Sequence, residues 1–259
     1  GLYAIPTIIK ALETYDTTTI RASTPMYLLS KYIKENTDVR VILSGEGSDE
    51  LFGGYLYFKY APDDQAFRAE IIDRLNELYL YDVLRADRST AEHGLEIRPP
   101  FLDDQFVEAT LQSYNLTKCI RNTKELIREC VETKSLLPDE ILYGKKEAFS
   151  DAVGLSWKEA IVLEAKKFCE ILQAQVPYVY NIPTRFVKEL LAYNDTSLSS
   201  IITPETPEMK YFQILFANRF KNSWNLLPKL WLPNQNWVKT GVEPSARVLP
   251  NYLEPINLE

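Results

Sequence analysis

One histidine, three cysteines and nine glycines in 259 residues leave little room for several kinds of chemistry. A zinc site needs more histidine and cysteine than this chain groups together. Cys119, Cys130 and Cys169 are an odd set without CxxC spacing, which reads as free thiols in a reducing compartment. In a cytosolic chain the sequons at Asn115 and Asn194 carry no meaning. A Ser-His-Asp triad would have to run through His93. That residue sits beside Gly94 at an apparent helix end, where capping is the simpler role. No run of eighteen apolar residues exists, so no apolar stretch is long enough to span a bilayer, and no signal peptide is visible. Basic residues are in deficit, with a net charge of −7, so nothing draws the whole chain to nucleic acid or to an anionic membrane. A GxxxxGK[ST] phosphate loop is missing, as are internal repeats and low-complexity segments. No methionine opens the chain, and Gly1 reads as the start of a fragment or of a processed chain.

What is present is an ordinary globular composition, 46% hydrophobic and 25% charged, long enough to bury a sizeable core. Helices are predicted over 3–13 and over 24–35, the second with Thr24 as N-cap and Pro25 at the first helical position. Val39 to Leu43 is a short β-branched run and the best strand candidate. One or two long helices are predicted over 65–92. Asp103 reads as the N-cap of another, and further helices cover 122–133, 156–175 and 206–220. The Ser/Thr/Pro-rich stretch 193–208 reads as a loop. The tail from Trp224 is expected to wrap the surface with aromatic anchors. A helix feeding a strand, a glycine turn and a new helix is α/β order. A soft boundary near residue 152 separates a strand-bearing part, 1–152, from a helical part, 153–259.

Ser44-Gly45-Glu46-Gly47-Ser48-Asp49-Glu50 follows the predicted strand, at the end where open α/β sheets bind ligands. Gly45 and Gly47 let backbone amides approach a ligand, and Ser48 can cap the next helix. Three carboxylates in a phosphate-type turn are a paradox. On one account Asp49 and Glu50 merely complement a helix dipole. On the other a Mg²⁺ ion mediates, because it shares its oxygen ligands between one or two carboxylates and substrate phosphates.

In 67–91 the apolar stripe Phe67, Ile71, Leu75, Leu78 continues at helical spacing to Asp82 and Arg85. Charge at core positions must be paired or bound. Asp82 and Arg85 are therefore either a structural pair three apart or a wall of a site. Glu96 and Arg98 share a face if the chain is extended there, as Pro99 and Pro100 enforce. Lys145 to Asp151 is a polar cluster. Its lysines are either solvated surface or include one aimed at a developing charge.

The blocks LETYDTTTIRASTPMYL, LSGEGSDELFGGYLYF, LYLYDVLRAD, HGLEIRPPFLD and KKEAFSD together resemble glutamine-hydrolysing asparagine synthetase, in order and at nearly the family's spacing, over about residues 1–157. TPETPEMKYFQILF and EPSARVLPNY resemble its C-terminal part, and 158–200 do not obviously do so. The resemblance implies an α/β nucleotide-binding fold of the pyrophosphatase-loop type (adenine nucleotide alpha hydrolase-like), here mostly helical with few parallel strands. Residues 1–152 would be the C-terminal part of the ATP-dependent synthetase core and 153–259 its helical extension. It implies ATP and Mg²⁺ as cofactors, adenylation of the aspartate side chain, and displacement of AMP by ammonia that a separate glutaminase domain draws from glutamine. Ser44, Gly45, Glu46 and Gly47 would line the nucleotide and acyl-adenylate pocket, with Glu46 also catalytic. Asp49 and Asp82 would face Mg²⁺-pyrophosphate and aspartate, Glu50 would support them, Arg98 would take an anion, and Lys146 would stabilise the adenylation transition state. A cytoplasmic enzyme is implied, with no nucleic-acid or membrane partner and a homodimer left open.

The chain departs from that pattern in lacking the SGGLDSS-type pyrophosphate signature and the glutaminase domain, and in carrying Pro99 and Ala152. The expectation is that this chain alone is inactive or nearly so, since backbone amides of the missing loop have no side-chain substitute. The alternatives are a truncated non-catalytic paralogue with an interaction or regulatory role, and a related ATP-dependent amide-forming synthetase.

Overall fold

The computed structural model describes residues 1–144, 149, 157–174, 204–220, 230–241 and 249. The predicted lysine cluster, including Lys146, the boundary at 152 and most of the loop 193–208 lie outside the described residues, as does Asn194.

After a short 3-10 turn, α1 spans Ile5–Leu12 and α2 spans Thr17–Asn36. The predicted start of α2 at Thr24 is corrected. Asp16 is the N-cap, its carboxylate accepting from the Thr19 N–H at 2.7 Å, and Pro25 lies inside the helix. An internal proline deprives the carbonyl four residues back of its donor. That carbonyl belongs to Arg21, and the Trp157 indole N–H supplies the replacement bond at 3.0 Å. A residue remote in sequence thus makes the proline tolerable, which no local start signal reveals.

Strand β1 covers Val41–Leu43, and β2 covers Glu96–Arg98. They pair in parallel, Val41 opposite Glu96 and Leu43 opposite Arg98. Among the described residues these two strands are the whole sheet. The crossover between them holds α3, Ser48–Leu51, α4, Asp64–Glu77, and α5, Asp82–Ala91. The predicted 65–92 region is therefore two helices. A 3-10 turn over Leu78–Leu80 and Tyr81 at φ −130°, ψ −86° break it. Phe67, Ile71 and Leu78 are buried as the stripe requires. Gly94, at φ +67°, ends the α5 region in the left-handed turn expected beside His93.

Asp103 caps α6, Asp104–Gln112, accepting from the Phe106 N–H at 3.1 Å. Then come α7, Glu125–Glu132, and α8, Asp139–Leu142. Lys124, at φ +60°, delays α7 by about three residues relative to the expected 122. Helices α9, Trp157–Ala174, and α10, Pro207–Arg219, follow. Pro207 stands in the first turn of α10, and Thr206 caps it through the Met209 N–H at 3.1 Å.

Two apolar cores hold these elements. Ile5, Ile8, Ile9 and Leu12 of α1 meet Ile161, Ala165 and Phe168 of α9 and Phe212 and Phe216 of α10. Helices from both sides of residue 152 therefore share one core. The buried Arg21–Glu208 ion pair, with Nε to Oε1 at 2.8 Å, ties α2 to α10 beside it. The second core gathers Leu51, Phe52, Tyr57, Phe58, Phe67, Ile71, Leu116 and Trp231. Trp231 enters this core as one of the aromatic anchors that the composition of the tail suggested. Among the described residues no helix is long and apolar enough to cross a membrane.

Candidate functional site

The acidic turn sits directly beyond β1. The Ser44 N–H donates to the Arg98 carbonyl at 3.0 Å, so pairing with β2 continues to the first residue of the turn. Gly47 then turns the chain at φ +88°, a conformation that favours glycine. A Cβ there would also come within 2.2 Å of Leu102 Cδ2. The expectation that Ser48 caps α3 is corrected. Gly47 holds the N-cap position without a side-chain bond, and the Ser48 hydroxyl instead accepts from Lys124 Nζ at 3.2 Å. Helix α3 is a single turn, so it offers Asp49 and Glu50 little dipole.

What holds the acids is a charge network. Arg85 Nη2 donates to both Glu46 oxygens, at 2.9 and 3.0 Å, and Arg85 Nη1 meets Asp82 Oδ1 at 2.6 Å. The side chains are 10%, 14% and 13% exposed for Arg85, Glu46 and Asp82, so water screens them weakly. Of the two readings of Asp82 and Arg85, the pair is present, and Glu46 completes it as a triad. Lys124 Nζ meets Asp49 Oδ1 at 3.0 Å. Gly54 makes room for that contact, since a Cβ there would lie 2.1 Å from Asp49 Oδ1 and 2.5 Å from Lys124 Cε.

Glu50 is buried, and the Tyr55 hydroxyl donates to its Oε1 in a short bond. The same hydroxyl lies 3.4 Å from Asp82 Oδ2, so Tyr55 bridges two acids. Burial first, and then the charges of Asp82 and Asp49, push the Glu50 carboxyl up to about 8. Burial also raises Glu46, against the opposing pull of Arg85. Burial alone would lower the Arg85 guanidinium, and Asp82 and Glu46 reverse that, leaving it raised. Burial, then Asp82 and Glu50, lift Tyr55 well above the ordinary phenol range. The site therefore combines acids paired with an arginine, a carboxyl that holds its proton at neutral pH, and a phenol that stays protonated.

Glu46, Asp49, Glu50 and Asp82 are thus brought together. Ser44, Gly45 and Gly47 form the strand-to-helix corner beside them, and a Cβ at Gly45 would meet nothing within 4 Å. Arg98 and Glu96 share a face of β2, as extension requires, and form a solvent-exposed pair at 2.6 Å with Arg98 62% exposed. Lys146 is not among the described residues. Sequence reasoning missed Tyr55, Lys124 and Trp231. A phenol one residue beyond the glycine pair is the only local signal for Tyr55, and Lys124 and Trp231 give none.

Trp231 closes the back of this site. Its ring lies 5.3 Å from that of Tyr55, and its backbone N–H donates to Asp16 Oδ1 at 2.8 Å. Cys119, buried with its thiol pushed up to about 11 by that burial, and Cys169 are inert core residues, and Cys130 is exposed. Among the described residues no three His, Cys, Asp or Glu side chains converge to hold a metal by themselves.

The sequence model of the asparagine synthase family matches residues 1–73 and 60–192. Human asparagine synthetase (glutamine-hydrolyzing) is 41% identical over 254 residues, 97% of this chain and 42% of the human protein. The chicken protein of the same name is 42% identical over 258 residues, 99% of this chain and 43% of its own length. The probable asparagine synthetase (glutamine-hydrolyzing) of Acanthamoeba polyphaga mimivirus is 40% identical, over 96% of this chain and 42% of its own. The chain spans about two fifths of the length of these curated relatives. With a family match that runs across most of its length and carries the acidic turn, Asp82 and Arg85, the chain belongs to the asparagine synthase family.

Proposed function

We propose that this chain contributes the acidic wall of an ATP-dependent site that adenylates the side-chain carboxylate of aspartate, releases pyrophosphate, and lets ammonia displace AMP to give asparagine. The observation that carries the reading is the Glu46–Arg85–Asp82 triad with Asp49 and Glu50, packed at the carboxyl end of β1. The names of the relatives support asparagine as product and glutamine as the ammonia source in the longer proteins.

Mg²⁺ fits this donor set. It uses one or two protein carboxylates and completes its shell with water and phosphate, so convergence of three protein acids is not required. The charges of Asp82 and Asp49 raise Glu50 after burial does, which marks a negative local field that favours a cation. Asp49 and Asp82 would hold the ion, which would neutralise charge on the phosphates as pyrophosphate leaves. Ser44, Gly45, Glu46 and Gly47 would border the nucleotide and the acyl-adenylate. Arg85 would hold Glu46 and Asp82 in place through its two ion pairs. Glu50 and Tyr55 hold protons and exclude water behind them. Lys146 would contact the phosphoryl group, and Arg98 an anion. A pyrophosphatase-loop fold, an upstream pyrophosphate-binding segment, a glutaminase domain and a cytoplasmic setting belong to the same reading.

The test is pyrophosphate release by the full-length protein with ATP, Mg²⁺, aspartate and ammonia. Lys146→Ala is expected to cut release far more than it weakens ATP binding, because the lysine acts mainly in the transition state. Loss of ATP affinity with turnover intact would sink the role of Lys146. Release with another carboxylate in place of aspartate would make the protein a different amide-forming synthetase.

A further inference from the structure

We infer that Trp231 is a positioning residue: the segment 230–238 is a strap across the back of the acidic site, and its indole sets the place of the Tyr55 ring whose hydroxyl joins Glu50 to Asp82. This rests on the adenylation reading of the same site.

The strap is fixed at three points, two by hydrogen bonds to buried carboxylates and one by apolar packing. The Trp231 backbone N–H donates to Asp16 Oδ1 at 2.8 Å, while Asp16 Oδ2 accepts from the Thr19 N–H and hydroxyl, both at 2.7 Å. One buried carboxylate therefore caps α2 and anchors the strap together. Asn234 Nδ2 donates to Glu70 Oε2 at 2.6 Å, and Glu70 Oε1 accepts from the Tyr57 hydroxyl at 2.8 Å. Trp237 lies 6.1 Å from the Tyr57 ring and 6.2 Å from Phe58, and Val238 is buried in the same core. Between these anchors the Trp231 ring meets Tyr55 at 5.3 Å, tilted by 57°.

The front of Tyr55 is polar and its back is apolar. Its hydroxyl donates to Glu50 and lies 3.4 Å from Asp82 Oδ2. Its ring stacks with Tyr57 at 6.0 Å and Phe58 at 6.4 Å. Those two rings belong to the 3-10 turn Leu56–Tyr60, immediately after Tyr55 in the chain, and move with it. Trp231 comes from a distant segment and supplies a reference that does not. A phenol tilting by a fraction of an ångström at its ring moves its oxygen further, and its single proton is shared between Glu50 and Asp82, the latter already at 3.4 Å, the outer edge of hydrogen-bond distance. Displacements of that size at a reacting centre lower turnover more than affinity.

The experiment uses full-length protein carrying Trp231→Ala, Trp231→Phe or Trp237→Ala. The Trp231 hydrogen bond to Asp16 comes from the backbone, so both substitutions at 231 keep the anchor. The first readout is the fluorine NMR signal of Tyr55 in 3-fluorotyrosine-labelled protein, assigned with Tyr55→Phe. The second is kcat and KM for aspartate-dependent pyrophosphate release. Trp231→Ala is expected to move the Tyr55 signal and lower kcat about ten-fold with KM for ATP within about two-fold. Trp231→Phe restores both, and Trp237→Ala, which reaches Tyr55 only through the Tyr57 and Phe58 rings, moves the Tyr55 signal less than Trp231→Ala does. An unmoved Tyr55 signal in Trp231→Ala overturns the inference, as does an equal shift from Trp237→Ala, which would make the strap a mere stabiliser. If Trp231→Ala does not fold, Trp231→Leu replaces it under the same criteria. Wild-type protein without pyrophosphate release would refute the adenylation reading, and the fluorine signal would still decide whether Trp231 places Tyr55.

Discussion

Replacing Arg85 with methionine removes the one cation that Glu46 and Asp82 share among the described residues, while keeping most of the side-chain volume. Both carboxylates then stand with side-chain exposures of 14% and 13% and no guanidinium between them. Removing one partner of a buried pair costs about 3–5 kcal/mol, because the uncompensated charge stays desolvated. Two acids depend on Arg85, so the upper half of that range is expected at pH 8. The loss should then shrink on acidification. Burial already raises Glu46 with Arg85 present. Without the guanidinium that carboxyl takes up a proton more readily, and each tenfold gain in its proton affinity recovers about 1.4 kcal/mol. Arg85→Met/Glu46→Gln is expected to be less destabilised than the sum of its two single variants by about 2 kcal/mol. Arg85→Lys should fall between, since an ammonium keeps the charge but cannot fork across three oxygens. The assay is urea unfolding of the wild type and these variants from pH 5.5 to 8, followed by tryptophan fluorescence. A loss below about 1 kcal/mol at pH 8, or one that does not change with pH, would refute the claim that the triad is electrostatically closed.

Two further outcomes follow from single contacts. Glu50, lifted from 4.5 to about 8, binds a proton in the folded state that the unfolded chain releases. Its contribution to stability is therefore full below pH 4.5 and is lost as pH rises to 8, by at most about 1.4 kcal/mol per pH unit. Glu50→Gln should flatten the stability profile across that window, and an unchanged slope in denaturation midpoints against pH would count against the assignment. Trp157→Phe leaves the Arg21 carbonyl without the indole donor and should cost about 1–2 kcal/mol. In a Pro25→Ala background the restored helix N–H replaces the indole, and the same substitution should cost clearly less. Equal costs in the two backgrounds would show that Trp157 acts only through packing.

The readable parts of this fold were the local ones. A β-branched run gave away β1, Asp103 announced its helix through its own side chain, and the apolar stripe of α4 pointed onward to Asp82 and Arg85. The sequence misled at α2, where Pro25 imitates a helix start, because the bond that excuses it comes from Trp157, 136 residues from Arg21. The site divides in the same way. Its acids stand mainly in one short turn and are legible as a cluster. The groups that make the cluster tolerable are distant: Arg85 lies 39 residues from Glu46, Lys124 lies 76 from Ser48, and Trp231 lies 215 from Asp16. Four carboxylates repel one another in the unfolded chain and lose nothing by remaining in water. In the folded chain the two cations and the tryptophan reach them, and there burial makes Glu50 hold its proton. The acidic turn is therefore written locally, while its chemistry is a property of the tertiary structure. That is why the carboxylates were identifiable from sequence as candidates, and why the upward shifts of Glu46 and Glu50 were not.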